Sequence, residues 1–442
     1  MSKEIKDSEK DLFKELIQYA QKKGATEVEL VSTQNTGLNI TVRNQAPETI
    51  EFNRDKNVSV TVYIGKKTGV STTNDLRYDS LKQVIDSAIT MAKYAEEDPF
   101  SGLPDKEHMA YEYPDLKLSY PWEINSEFCI EQAKRAESGG LAHDKKIKQC
   151  DGASFSVYQS NSLLANSNDF IGLFPSSYYS LSCMMIGEDK AGMERDYDYT
   201  CHRDIHQLAT PELIGQMAAQ KTLARLSPKK IPSQVANVMF IPSVARGLFS
   251  HFFSAISGGS LYRKTTFLLD SLGKKIFPEF VTLHENPHLL HGLSSAPFDS
   301  EGVKTYSKNI IKEGVLQSYL LSTYSARKLG MKTTGNAGGI HNIAINSTGE
   351  NFEALIKKLD KGLLVTELMG QGVNIVTGDY SRGASGFWIE NGQIAYPVSE
   401  ITIAGNLKDM FLNIVAVGND VDYRSGLHTG SVIIPDMTIA GV

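Results

Sequence analysis

The string His284-Glu285-Asn286-Pro287-His288 spells H-E-x-x-H, a zinc-peptidase pattern. On a helix, two histidines four residues apart reach one Zn²⁺, and the glutamate beside the first serves as general base for a bound water. Pro287 works against that geometry. Its ring clashes with the Leu283 carbonyl, it removes an N–H from the turn that must join the histidines, and it biases Asn286 away from helix. The sequence therefore places 284–288 in a solvated loop without metal, and His291 nearby does not restore the ligand geometry. A second cluster runs Cys201-His202-Arg203-Asp204-Ile205-His206. Its histidines are also four apart, but strand-like Tyr197 and Tyr199-Thr200 precede them, so they read as surface residues. A third histidine, His251, sits in GLFSHFFSAISGGS (247–260) among Leu248, Phe252, Phe253 and Ile256. It reads as a core or interface residue with no metal partner beside it.

The glycine-rich stretches carry no phosphate fingerprint. Gly335-Asn336-Ala337-Gly338-Gly339 lacks the P-loop Lys-Ser/Thr, and no G-x-G-x-x-G opens a helix after a strand. Nor does a G-x-S-x-G elbow occur between a strand and a helix. These glycines imply turns with φ > 0, or backbone that approaches an extended peptide closely.

The elements that must hold such residues follow from periodicity. Leu12, Phe13, Leu16, Ile17 and Ala20 share a helical face, with Ser8 as N-cap and Gly24 as terminator. Val28 and Leu30, then Leu38, Ile40 and Val42, then Val58, Val60, Val62 and Ile64 alternate as strands, and Gln34-Asn35-Thr36-Gly37 reads as a turn between the first two runs. Asp79 opens a second helix. Residues 96–125 hold Pro99, Pro104, Pro114 and Pro121 and read as a connector. A helix over 126–137, short strands over 153–158, 162–165 and 178–186, and a helix over 211–226 follow. This helix–meander–helix order occurs twice, which fits either an internal duplication or ordinary α+β alternation. The spacing sets an N-terminal α+β domain over 1–226 and, beyond Ser227–Pro232, a β-rich C-terminal domain over 233–442. In the latter, strands are expected over 238–241, 372–377, 386–390 and 401–404, and helices over 243–256 and 351–359.

Composition narrows the function classes. The 442 residues carry 41% hydrophobic and 22% charged residues, enough for a sizeable core, and a net charge of −6. A dedicated nucleic-acid binder would need clustered Lys and Arg, and the densest run is only Lys145–Lys148. The N-terminal MSKEIKDSEKDLFKEL has no signal-peptide core, and no stretch approaches a membrane span. Cys129, Cys150, Cys183 and Cys201 form no CxxC pair and read as reduced thiols. A cytoplasmic location is expected.

Longer strings then become recognisable. GSLYRKTTFLLDSLGKKI (259–276), PFDSEGV (297–303), YSARKLG (324–330), TGNAGGIHN (334–342) and the run from Val365 to Met410 resemble the TldD/PmbA metalloprotease family. This family also bears the label modulator of DNA gyrase. MERDYDYT (193–200) and RLSPKK (225–230) extend the resemblance over nearly the whole chain, while the first ninety or so residues match mainly in pattern. The resemblance implies an α+β fold and a partnership with a TldD-like catalytic subunit in cleaving unfolded peptides. In TldD-type chains the helix equivalent to 247–260 carries H-E-x-x-x-H and binds zinc. Here His251 stands at the first position, but Phe252 replaces the glutamate and Ile256 the second histidine. The family's cysteine ligand has no counterpart in VGNDVDYRSGLHTGSVIIPD (417–436). The implied reading is a subunit with no catalytic or metal residue of its own, zinc being carried by the partner. Its candidate substrate-peptide or interface residues are His251, Tyr262, Arg263, Lys264, His341, Tyr380 and Arg382. Arg263 and Lys264 suit peptide carbonyls or a terminal carboxylate. Two other readings stand beside it. One is a peptide-binding, chaperone-like homodimer, and the other an autonomous zinc peptidase using His284, Glu285 and His288.

Overall fold

The computed structural model describes residues 7–441. Its first half holds α1 (Asp7–Lys22), β1 (Glu27–Arg43), β2 (Ala46–Ile64), β3 (Lys67–Thr73), α2 (Tyr78–Tyr94), α3 (Ser126–Leu141), β4 (Ile147–Asn166), β5 (Ile171–Asp189), β6 (Gly192–His202) and α4 (Pro211–Arg225). The six strands form one sheet in the order β3-β2-β1-β4-β5-β6. Two helix–meander–helix units are thus joined by the antiparallel β1–β4 pair, and the topology is an approximate duplication. The even-numbered side chains of β1 and β2 explain how the helices dock. Val28, Leu30, Val58, Val60 and Val62 are buried with Leu16, Ile17 and Ala20 of α1 and Leu81, Ile85 and Ala88 of α2. Leu38, Ile40 and Val42 join Phe155, Val157 and Leu181 beneath α3 and α4. The β1–β2 turn, Asn44-Gln45, has φ of 53° and 59°. Its two N–H groups donate to the carboxylate of fully buried Glu137 in α3, both at 2.7 Å.

Three expectations fail here. Gln34–Gly37 is no turn, because Thr33–Gly37 pair with Asn53–Asn57 on one side and Tyr158–Ser162 on the other. The expected strands 153–158 and 162–165 are likewise parts of continuous β4. A strand with partners on both sides satisfies its backbone through the ladder, and that overrides the turn preference of Asn and Gly. The polar side chains bond across strands instead. Asn35 Oδ1 accepts from the Tyr158 and Ser160 hydroxyls at 3.0 and 2.7 Å. Ser8 lies inside α1 rather than ahead of it.

The second half contains β7 (Gln234–Phe240), α5 (Pro242–Ala255), α6 (Gly258–Tyr262), β8 (Leu283–Asn286), β9 (Lys308–Lys312), β10 (Val315–Leu316), α7 (Thr323–Lys328), β11 (Asn342–Ile345), α8 (Phe352–Leu359), β12 (Gly362–Met369), β13 (Asp379–Glu390), β14 (Gln393–Asn406), α9 (Leu407–Leu412), β15 (Ala416–Val417), β16 (Leu427–His428) and β17 (Val432–Ala440). They build a five-stranded sheet, β10-β9-β8-β11-β16, and a six-stranded sheet, β14-β13-β12-β7-β17-β15, curled enough for β14 also to pair with β17. Phe252 of α5 packs edge-on against Phe277 and Phe411, with ring centroids 5.1 and 6.0 Å away. The expected strand 372–377 is a turn. Asn374 Oδ1 accepts from Val376 N, and Gly378 at φ 86° reverses the chain into β13. Residues 284–286 are the opposite case: they lie in strand β8, not in a solvated loop. Among the described residues no helix is long and apolar enough to cross a membrane.

Candidate functional site

Pro242 starts α5 at a position where its missing N–H costs nothing. Val244, Ala245, Leu248, Phe249, Phe252 and Phe253 form its buried face, while Ser250 and Ser254 stay exposed. His251 lies half-buried at the border between the two. Its ring meets Tyr380 of β13 edge-on, with centroids 6.2 Å apart at 72°. Tyr380 is 2% exposed, and its hydroxyl has no hydrogen-bond partner. Burial pushes that hydroxyl up to about 12, with Arg382 pulling the other way. Arg382 lies two residues along β13 and hence on the same face. Its Nε donates to the Met369 carbonyl at 3.2 Å. Burial first, then the Arg382 charge, holds His251 below the ordinary imidazole value, so it is neutral at pH 7. Three of the seven candidate residues thus form one cluster.

The outer face of α5 opens on a groove of about 520 Å³. Ser250, Phe253, Ser254 and Ser257 form one wall, Gly258–Ser260 the end, and the loop Asn336–Ile340 the other wall. Across that loop, a second cavity of about 560 Å³ lies against the N-terminal sheet, walled by Leu164, Phe174, Tyr178, Arg203, Phe298 and His341 among others. Gly335, Gly338 and Gly339 have φ of 67°, 96° and 121°. A Cβ at Gly335 would lie 2.5 Å from the Lys304 carbonyl oxygen, so close packing as well as φ demands glycine there.

The loop is held from behind by Glu285, fully buried on β8. Its Oε1 accepts from Asn336 Nδ2 at 2.9 Å and from the His341 backbone N–H at 2.8 Å, and Lys308 Nζ lies 2.9 Å from Oε2. His341 is itself buried, with Nε2 3.0 Å from the Gly335 carbonyl. The glutamate of the H-E-x-x-H string is therefore a support for the loop. Because β8 alternates its faces, His284 points to solvent and meets Asn309 at 2.8 Å, while His288 meets Thr305 at 2.9 Å. The remaining candidates cluster elsewhere. Arg263 lies over the Tyr262 ring and donates to its hydroxyl at 3.0 Å, and Tyr262 packs edge-on against Tyr324 at 5.8 Å. Exposed Lys264 follows at φ 56°.

The residues of α5 do not fit zinc. Phe252 and Ile256, at the positions of the second and third H-E-x-x-x-H residues, are fully buried in the core. No group of three or more His, Cys, Asp or Glu among the described residues could hold a metal ion. His202 Nδ1 accepts from Asp204 N at 3.0 Å.

Sequence reasoning missed a carboxylate cluster between the halves. Asp299, buried, accepts from the N–H groups of Glu301, Val303 and Ala337 at 2.9–3.0 Å. Burial and then the Glu301 charge push it up to about 7. Burial, then Glu301 and Asp299, push Glu29 of β1 up to about 7 as well. No local spacing could have revealed a cluster whose members come from opposite halves of the chain.

Comparison with known proteins agrees with this architecture. Family models for the PmbA/TldA metallopeptidase domain 1, central domain and C-terminal domain match residues 28–92, 119–226 and 233–441. The chain is 49% identical over 413 residues to a protein named Metalloprotease PmbA from Escherichia coli O157:H7, covering 93% of this chain and 92% of that one. A crystal structure from Bacteroides thetaiotaomicron VPI-5482, labelled as a modulator of DNA gyrase, superposes with a TM-score of 0.93 at 29% identity, over 99% of this chain and 100% of that one. TldE from Thermococcus kodakarensis shares the fold, with a TM-score of 0.86 at 22% identity over 97% of this chain and 100% of that one. With three family models in sequence along its length and the E. coli protein matched nearly end to end, the chain belongs to the PmbA/TldD metallopeptidase family.

Proposed function

We propose that this chain is the non-catalytic, substrate-holding member of a two-chain zinc peptidase, with a TldD-like partner supplying the metal. The observation that carries the reading is α5. It keeps a half-buried His251 beside Tyr380 and Arg382 but turns Phe252 and Ile256 into the core, leaving one neutral imidazole where hydrolysis would need two ligands and a base. The groove has the chemistry to hold an unfolded peptide without cutting it. The glycine loop presents main chain with little side-chain obstruction, and the serine-lined face of α5 supplies hydroxyls that donate or accept. Arg382 adds a guanidinium donor next to His251.

The test measures metal content and peptidase activity of the purified chain, with and without a TldD-like chain. The reading expects no zinc and no cleavage alone, and a zinc-loaded mixture that cleaves an unfolded peptide faster than the TldD-like chain by itself. Stoichiometric zinc and cleavage by the isolated chain would overturn it.

A further inference from the structure

The cavity of about 560 Å³ beyond the glycine loop has the size of a ligand site, and its wall holds a buried cation. Arg203 is 6% exposed. Its Nε donates to the Gly292 carbonyl at 3.0 Å, Nη1 to the Leu118 and Ser177 carbonyls at 3.3 Å each, and Nη2 to the Leu293 carbonyl at 2.9 Å. A guanidinium has five N–H groups, so one on Nη2 is left over. The carbonyls satisfy donors but do not cancel the charge. Among the described residues no carboxylate pairs with Arg203. Asp299, the one acid on the cavity wall, faces the N–H groups of Glu301, Val303 and Ala337 instead. Burial alone pulls the guanidinium down to about 10, so it stays charged at neutral pH. A buried cation without a counterion is costly, and an anion entering the cavity recovers part of that cost.

The cavity also adjoins the α5 groove. Residues 337–340 line both. This divider is bare at its middle, where Gly338 and Gly339 carry no side chain and a Cβ at Gly339 would meet nothing within 4 Å. Buried Leu164 and Phe298, with Phe174 at a ring-centroid distance of 6.2 Å from Phe298, give the cavity an apolar wall.

Building on the peptide-holding role given above, we propose that this cavity takes the C-terminal end of a peptide that lies along α5. Arg203 meets the terminal carboxylate, and the apolar wall takes the last side chain. The direction of the peptide is thereby fixed, its carboxyl end being the one that passes over the glycine loop. A guanidinium–carboxylate contact is charge-assisted and strong enough to select that end.

The test is fluorescence anisotropy of the full chain with an unstructured peptide of Gly, Ser and Ala, labelled at its N-terminus and ending in leucine, as free acid and as amide. The free acid should bind about tenfold tighter than the amide, the scale of a hydrogen bond to a charged group. It should also bind several-fold tighter than a free acid ending in glycine. The chain's net charge of −6 works against an added carboxylate elsewhere on the surface, so the sign of the first difference is diagnostic. Ser176→Asp keeps Arg203 and its four carbonyls but sets a competing carboxylate on the cavity wall, next to Ser177 whose carbonyl Arg203 holds. It should abolish the preference for the free acid. Arg203→Met should do the same, and Ser176→Asp decides where that variant does not fold. Equal binding of acid and amide overturns the proposal and leaves the peptide-holding role standing, whereas binding of neither overturns both. A preference that survives Ser176→Asp overturns it, as do equal affinities for leucine and glycine ends. So does an amide ending in glutamate that binds as tightly as the free acid, since the cavity would then read side chains and not the terminus.

Discussion

Replacing Glu29 with Gln should stabilise the protein in mildly alkaline solution and leave it nearly unchanged in acid. Glu29 ionises at about 7 in the folded chain against 4.5 in an unperturbed carboxyl, because burial and two neighbouring carboxylates, Glu301 and Asp299, oppose its charge. Between those values the folded state binds more protons than the unfolded state. Stability conferred by the neutral form is therefore complete below about pH 4.5, declines as pH rises through about 7, and is flat above. At 1.36 kcal/mol per unit the interval is worth about 3 kcal/mol, and partial solvent contact of the side chain trims this to about 1–3 kcal/mol. A glutamine keeps the shape and never ionises. Removing the Glu29 charge also relieves Asp299, whose shift has the same sign. The assay is urea unfolding of parent and variant at about pH 5 and about pH 8, followed by fluorescence. The variant should gain at about pH 8 and match the parent at about pH 5. An equal gap at both pH values, or a loss at about pH 8, refutes the electrostatic account of this junction.

Further outcomes follow from the other clusters. Glu285→Gln strips the charge from a buried pair with Lys308 and should cost about 3 kcal/mol, read as a lowered denaturation midpoint together with faster hydrogen exchange in 335–341. Tyr380→Phe removes a buried hydroxyl that has no partner, so it should stabilise the isolated chain by about 1 kcal/mol. Arg382→Ala should slow peptide turnover by an assembly with a TldD-like chain while leaving the metal content unchanged; unaltered turnover removes Arg382 from the substrate-holding residues. It should also raise the His251 pKa, since Arg382 is one of the two causes that depress it, and histidine NMR titration reads that shift directly.

The helices of the first half were legible because Leu16, Ile17 and Ala20, or Leu81, Ile85 and Ala88, repeat at helical spacing and are buried together. Long strands were not. Gln34–Gly37 looks like a turn to any local rule, and only partners on both sides, distant in sequence, make it strand. Gly372–Thr377 erred the other way, its apolar alternation defeated by the Asn374 side chain and by Gly378. Pro287 did reveal that 284–288 forms no zinc helix. It could not reveal that Glu285 is buried, since Lys308, Asn336 and His341 enter from other segments. The His251–Tyr380–Arg382 cluster came from resemblance; nothing in the spacing between α5 and β13 points to their meeting.

The carboxylate of Glu137 has a consequence for how the molecule assembles. It belongs to the second repeat yet closes the hairpin tip of the first, where both turn residues have positive φ, which Asn44 tolerates but Gln45 seldom adopts. The first hairpin therefore has its reversal fixed from outside its own repeat, and its inner strand finds its second neighbour only once β4 exists. Although the repeats look interchangeable in outline, the reversal of the earlier-synthesised hairpin is set by a residue of the later half. A ribosome-bound chain stalled before Glu137 emerges would carry α1 and α2 beside a hairpin without its lock. Chaperone demand during synthesis should accordingly peak in that window and fall once α3 and β4 have cleared the exit tunnel.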